Sequence, residues 1–115
     1  MEEAILNFHK QFNFKPEIIN KEKIDSPKNF ILSGMGGSHL ASGLLKTFKP
    51  GINLYVHKNY GLPPFEDDFL KDSLLIASSY SGNTEETIDF LEEGYSRGYH
   101  MAVITTGGKL LDFAK

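Results

Sequence analysis

The stretch from Ser73 to Arg97 constrains this chain more than any other. It sets a short apolar strand, a hydroxyl-rich turn and an amphipathic helix in immediate succession. Leu74-Leu75-Ile76-Ala77 is brief and nearly continuous, the pattern of a parallel strand covered on both faces. Past the turn, Ile88, Leu91 and Tyr95 recur at i, i+3 and i+7 and predict one face of a helix. Asn83 or Thr84 serves as its N-cap. With Asn83 in that place, Glu86 stands three residues on at capping-box spacing, and Glu85 and Glu86 suit the positive end of the helix dipole. Gly98 closes the helix as a C-terminal cap.

The same unit recurs along the chain. Asn29–Ser33, with Phe30-Ile31-Leu32 at its centre, reads as a first strand, followed by Gly34-Met35-Gly36-Gly37-Ser38. Leu40, Leu44, Leu45 and Phe48 form the apolar stripe of a helix that ends before Pro50-Gly51. Ile52 to Val56 is a second strand, and Asn59 to Asp68 a loop with a helical turn near Phe65 to Leu70. Met101 to Thr105 is a fourth strand running into Thr106-Gly107-Gly108, and Leu110 to Lys115 begins another helix. Strands alternating with helices imply a parallel sheet with right-handed crossovers. The expected fold is therefore α/β: a three-layer αβα domain with four parallel strands in order 2-1-3-4. Strand four is left without a further neighbour, so the sheet is expected to look incomplete at its C-terminal side. Residues 1–115 make one domain, with 1–27 a helical lead-in and 28–115 the α/β core. In the lead-in, Ala4, Ile5, Phe8 and Phe12 recur at helical spacing, Pro16 breaks the pattern, and Glu17 to Ile24 can form a second short helix. Its aromatics either cover the domain's own core or face a partner subunit.

The two small-residue loops carry the chemistry. Ser79, Ser81 and Thr84 bring three hydroxyls within six residues, beside Gly82, whose missing side chain allows a close backbone approach. The unpaired N–H groups of the following helix's first turn point into the same space. Such a neutral cradle suits an anion, most often a phosphate. The competing reading is a Ser-rich turn whose hydroxyls only cap the helix. Order 2-1-3-4 favours the cradle, because it places the switch point between strands one and three, where both loops meet and ligands usually bind. The expected anion-binding residues are Gly37, Ser38, Ser79, Ser81, Gly82, Asn83 and Thr84. Tyr80 points away from the flanking hydroxyls and reads as a packing residue.

Other chemistries fit poorly. Gly34-x-Gly36 opens a dinucleotide fingerprint, but His39 stands at the third glycine position and Asn53 to Lys58 supply no acid for a ribose. No Gly-Lys-Ser/Thr follows the glycines, which excludes a Walker loop. His9, His39, His57 and His100 stand apart from one another and from carboxylates at ligand spacing, so no metal and no cofactor is expected. A net charge of −3 with scattered lysines offers nucleic acid no basic face. There is no cysteine, and no apolar run nears the roughly 20 residues a membrane span needs. Met1-Glu2-Glu3 opens no signal peptide, which leaves a soluble cytoplasmic domain as the expectation.

Ser79-Tyr80-Ser81-Gly82-Asn83-Thr84-Glu85-Glu86 resembles the Ser-x-Ser-Gly-x-Thr-x-Glu signature of SIS (sugar isomerase) domains. With Gly34-Met35-Gly36-Gly37-Ser38 upstream and Tyr60-Gly61-Leu62-Pro63 between, the chain from about Ala4 onward is similar to the bifunctional phosphoglucose/phosphomannose isomerases. The resemblance implies a flavodoxin-like SIS fold whose loop hydroxyls hold the phosphate of a phosphosugar. It implies interconversion of glucose 6-phosphate or mannose 6-phosphate with fructose 6-phosphate, and a homodimer. In the resembled enzymes the base is a glutamate and the ring-opening group a histidine from a neighbouring subunit. Both lie beyond the matched part, as does an arginine near the substrate, so no catalytic residue is assigned in this chain. Glu85 and Glu86 are better explained as helix caps. The alternative function is a module that binds or senses a phosphosugar without chemistry.

Overall fold

Four apolar runs become four parallel strands in a computed structural model that describes residues 26–115, together with Glu3, Leu6, Asn7 and residues 17–19. The expected helical stripe through Ala4, Ile5, Phe8 and Phe12, and most of the segment from Glu17 to Ile24, lie outside the described residues. The strands are β1 (Asn29–Ser33), β2 (Leu54–His57), β3 (Ser73–Ser79) and β4 (His100–Thr105). Between and after them run helices α1 (Leu40–Phe48), α2 (Asp67–Lys71), α3 (Glu85–Ser96) and α4 (Gly108–Ala114). The sheet order is β2-β1-β3-β4, as the alternation of elements predicts. All three pairings are parallel: Ile31 stands opposite both Tyr55 and Leu75, and Ala77 opposite Val103.

β3 is the axis of the molecule, buried at every position except Ile76, which is half-buried. Because strand side chains alternate between faces, Ile31, Leu75 and Ala77 share one side of the sheet. Leu70 of α2, Phe90 and Leu91 of α3, Tyr99 just before β4, and Leu110 of α4 close over them to make the main core. The crossovers β1–α1–β2 and β3–α3–β4 run in opposite directions across the sheet. Right-handed connections therefore put α1 and α3 on opposite faces, which gives the three layers.

Two helices bury faces other than those their periodicity suggests. In α3 the inward side is Thr87, Phe90, Leu91 and Gly94, while Tyr95 is exposed and meets the Phe113 ring edge-on at 5.3 Å. In α1 the expected stripe is turned outward: Leu40, Leu44, Leu45 and Phe48 are exposed, Phe48 to 81%, and Ser42 is the buried residue. Ser42 Oγ donates to the His39 carbonyl at 2.5 Å, so the polar atom on the buried side stays satisfied within the helix. Amphipathic spacing fixes that such a stripe exists, not which surface covers it.

Candidate functional site

At the carboxyl end of β3 the chain turns through Tyr80 to Thr84 before α3 starts at Glu85. Ser79, the last strand residue, is 2% exposed and its hydroxyl is the hub of the turn. Ser79 Oγ lies 2.8 Å from Thr84 Oγ1 and 3.4 Å from Ser81 Oγ, and it accepts the Gly82 N–H at 3.1 Å. Ser81 Oγ in turn accepts the Asn83 N–H at 3.2 Å. The loop is thus held by its own hydroxyls. Each hydroxyl carries one proton, so when Ser79 donates to Thr84 and Ser81 to Ser79, the Thr84 proton remains to point outward. The N-cap of α3 is Thr84, and the helix's first backbone bond runs from the Ile88 N–H to the Thr84 carbonyl at 2.9 Å. The N–H groups of Glu85 and Glu86 therefore have no acceptor within the helix. One hydroxyl proton, two N–H groups and the helix dipole give the site its donors for an anion.

The Asn83 capping box does not form. Asn83 Oδ1 instead accepts the Lys109 N–H at 3.1 Å, in the first turn of α4, while the Leu110 N–H donates to the Gly82 carbonyl at 3.0 Å. The β4–α4 loop is a second wall of the turn, which sequence reasoning passed over; the Gly107-Gly108 doublet was the available signal. Thr106 also ties to the Tyr80 carbonyl, through its Oγ1 at 2.6 Å and its N–H at 3.3 Å. Gly82 has φ +76°, and a Cβ there would overlap the Gly107 carbonyl oxygen and come within 2.8 Å of Thr105 Oγ1. Only glycine fits where these two backbones meet. Tyr80 is 79% exposed, so it is a surface residue and not the packing residue its sequence position suggests.

The first loop joins the same place. Gly36–His39 forms a single 3₁₀ turn, and Ser78 Oγ of β3 donates to the Ser38 carbonyl at 3.2 Å. Gly37 is exposed and Ser38 half-buried on the rim. Of the expected residues, Ser79, Ser81, Gly82, Asn83 and Thr84 form one hydrogen-bonded cluster, while Gly37 and Ser38 adjoin it through Ser78. The N–H groups of Gly82 and Asn83, expected to face an anion, are engaged by Ser79 and Ser81.

A third segment reaches the site from β2. The Tyr60 hydroxyl donates to Glu85 Oε2 at 3.1 Å, and the Gly61 N–H to Asp89 Oδ2 at 2.6 Å. The Glu85 carboxylate that accepts the Tyr60 proton, reinforced by the charge of Glu86, holds the phenol above its ordinary pKa and hence neutral.

Comparison with known proteins adds a consistent set of names. Over an alignment of 123 residues the chain is 37% identical to a bifunctional phosphoglucose/phosphomannose isomerase of Caldicellulosiruptor bescii, with all of this chain and 35% of that protein covered. It is 39% identical to the protein of the same name from Aquifex aeolicus over 116 residues, covering 97% of this chain and 34% of the relative. The Pyrobaculum aerophilum protein of that name matches at 40% over 90 residues, 76% of this chain and 28% of its own length. No family model and no solved structure matches. The chain is therefore similar over its whole length to sugar-phosphate isomerases, and it spans about a third of the length of these relatives.

Proposed function

We propose that this chain is an SIS-type domain that holds the phosphate of a hexose phosphate, and that it serves an isomerase interconverting glucose 6-phosphate or mannose 6-phosphate with fructose 6-phosphate. The observation that carries this reading is the hydroxyl cluster of Ser79, Ser81 and Thr84 at the N-terminus of α3, in a chain similar throughout to proteins bearing that name. Thr84 donates outward to the phosphate, Ser81 does so by turning its proton away from Ser79, and Ser79 holds Thr84 from beneath. The Glu85 and Glu86 N–H groups complete the cradle, with Gly37 and Ser38 forming its far rim.

Aldose–ketose isomerisation also needs a base within reach of the carbon-bound proton and a group that stabilises the enediolate. Of the carboxylates around the cradle, Glu85 is committed to Tyr60 and Asp89 to Gly61, while Glu86 lies in the first turn of α3. This commitment favours a division of labour in which these 115 residues bind and the base comes from outside them. A binding or sensing module without chemistry is the second reading that the same fact supports. The protein works as a soluble cytoplasmic homodimer in this proposal. A partner surface is supported by the exposed Leu40, Leu44, Leu45 and Phe48 of α1, since a patch of large apolar side chains commonly marks an interface.

Titration calorimetry with glucose 6-phosphate tests the cradle. Ser81→Ala and Thr84→Val should each weaken binding by about 1–3 kcal/mol, the scale of a hydrogen bond to a charged group, with the fold intact by circular dichroism. Unchanged affinity in the double variant would move the phosphate site elsewhere. A coupled assay for fructose 6-phosphate separates the two functional readings. The chain alone should be inactive, and fusion to the C-terminal portion of a relative should restore turnover. A fusion that binds but never turns over would favour the sensor.

A further inference from the structure

Glu85, Asp89 and Glu93 stand at i, i+4 and i+8 on α3, a row of like charges that by itself weakens a helix. Each has been given a partner. Arg97 donates to Glu93 Oε1 at 2.9 Å from the next turn of the same helix. The other two partners come from a different part of the chain: the Tyr60 hydroxyl for Glu85 and the Gly61 N–H for Asp89. Upstream, His57 Nε2 lies 3.3 Å from the Tyr60 carbonyl oxygen, and the His57 ring packs against Phe90 of α3 with ring centroids 5.9 Å apart. Residues 57–61 are thus fastened to α3 at three points, Glu85, Asp89 and Phe90. The shortest bond joins a carboxylate to a backbone N–H, the charge-assisted kind that fixes geometry most firmly.

The consequence concerns Tyr60. Its hydroxyl is anchored on the first residue of α3, directly after Thr84 of the cradle, while about half of its side chain stays open to solvent. A cradle of hydroxyls and N–H groups recognises the phosphate oxygens alone. It cannot by itself tell inorganic phosphate from a phosphate ester. Discrimination needs a group held at the rim, and Tyr60 is the aromatic side chain so held, with its phenol kept neutral.

We infer that Asp89 is a positioning residue: by holding the Gly61 N–H it fixes Tyr60 as the wall against which the sugar part of a sugar phosphate lies. This rests on the sugar-phosphate reading above and adds to it the group that distinguishes the ester from the free anion. The aromatic face offers the sugar ring's C–H surface a flat contact, and the Tyr60–Glu85 pair offers its hydroxyls a donor–acceptor edge.

The test compares glucose 6-phosphate with inorganic phosphate by calorimetry on the full chain. Asp89→Ala should weaken glucose 6-phosphate about tenfold, on the scale of one lost hydrogen bond, and leave inorganic phosphate within about twofold. Asp89→Asn keeps an oxygen for the Gly61 N–H and should recover most of the loss. Tyr60→Ala should reproduce the ester-selective loss; it alters an exposed side chain and carries the test if Asp89→Ala does not fold. Equal weakening of both ligands, or of neither, overturns the inference while leaving the cradle standing. A wild-type chain that binds neither ligand overturns the sugar-phosphate reading itself, and this inference with it.

Discussion

Replacing Gly82 by alanine should do more damage than its one methyl suggests, and Gly98 provides the control. The two glycines have nearly the same backbone, φ +76° and +78°. A Cβ at Gly98 meets nothing within 4 Å, whereas at Gly82 it overlaps the Gly107 carbonyl oxygen and lies 2.6 Å from the Gly107 carbonyl carbon. Gly98→Ala therefore registers the left-handed conformation alone, about 1–2 kcal/mol. Gly82→Ala adds the retreat of the β4–α4 loop. That movement breaks the Leu110-to-Gly82 and Lys109-to-Asn83 bonds, each contributing about 0.5–1.5 kcal/mol net. It also loosens Leu110, which is fully buried in the core. The expected loss for Gly82→Ala is thus about 2–5 kcal/mol, a large share of the 5–15 kcal/mol of a typical domain. Urea unfolding followed by far-ultraviolet circular dichroism measures both variants, provided the slopes agree. Glucose 6-phosphate binding should weaken in Gly82→Ala and persist in Gly98→Ala. If both variants lose the same stability to within about 0.5 kcal/mol, a difference additivity cannot resolve, the loop-on-loop contact does not hold the cradle and the reasoning fails.

Thr87 is fully buried on α3 and its Oγ1 has no hydrogen-bond partner among the described residues. Thr87→Val, close in shape and similar in helix propensity, should raise the urea midpoint by an amount equivalent to about 1–3 kcal/mol; a lowered midpoint would mean the hydroxyl is satisfied after all. The Lys71 ammonium, 2.8 Å from Asp67, and next the Tyr99 hydroxyl hold the Asp67 carboxyl below its ordinary pKa, and the same carboxylate raises the Tyr99 phenol. A depressed carboxyl stabilises the fold above its unfolded pKa of about 4 and loses that as pH falls through the lower folded value. A raised phenol stabilises below about pH 10 and loses that as pH rises through the higher folded value. Melting temperature should therefore plateau from about pH 5 to 9 and drop on both sides. Tyr99→Phe should lessen the alkaline drop, leaving the shares of Lys71 and Tyr60, whose values are also raised; an unaltered alkaline limb would contradict the assignment.

Local pattern was enough for the elements and their order. The apolar runs around Phe30-Ile31-Leu32 and Leu74 to Ala77 are strands because continuous apolar residues between turn signals can be buried on both faces of a parallel sheet. Gly98 ends α3 because it alone there adopts φ +78° without strain. Alternation of strands and helices then leaves order 2-1-3-4 as the simplest right-handed winding. The gathering of Ser79, Ser81 and Thr84 was equally legible, since hydroxyls six residues apart or fewer meet within a single turn. What periodicity and turn chemistry left open were choices between partners of equal local merit. Asn83 could cap α3 beside it or accept the Lys109 N–H 26 residues away, and the packing of β4 against β3 settled it by bringing α4 alongside. The Leu40–Phe48 stripe could face the sheet or the outside, and Tyr60 could lie anywhere along its loop until Asp89 and Glu85 caught it. A side chain's candidate partners in its own turn follow from spacing along the chain, but its distant ones exist only after the layers have closed, and there the three-dimensional arrangement decides.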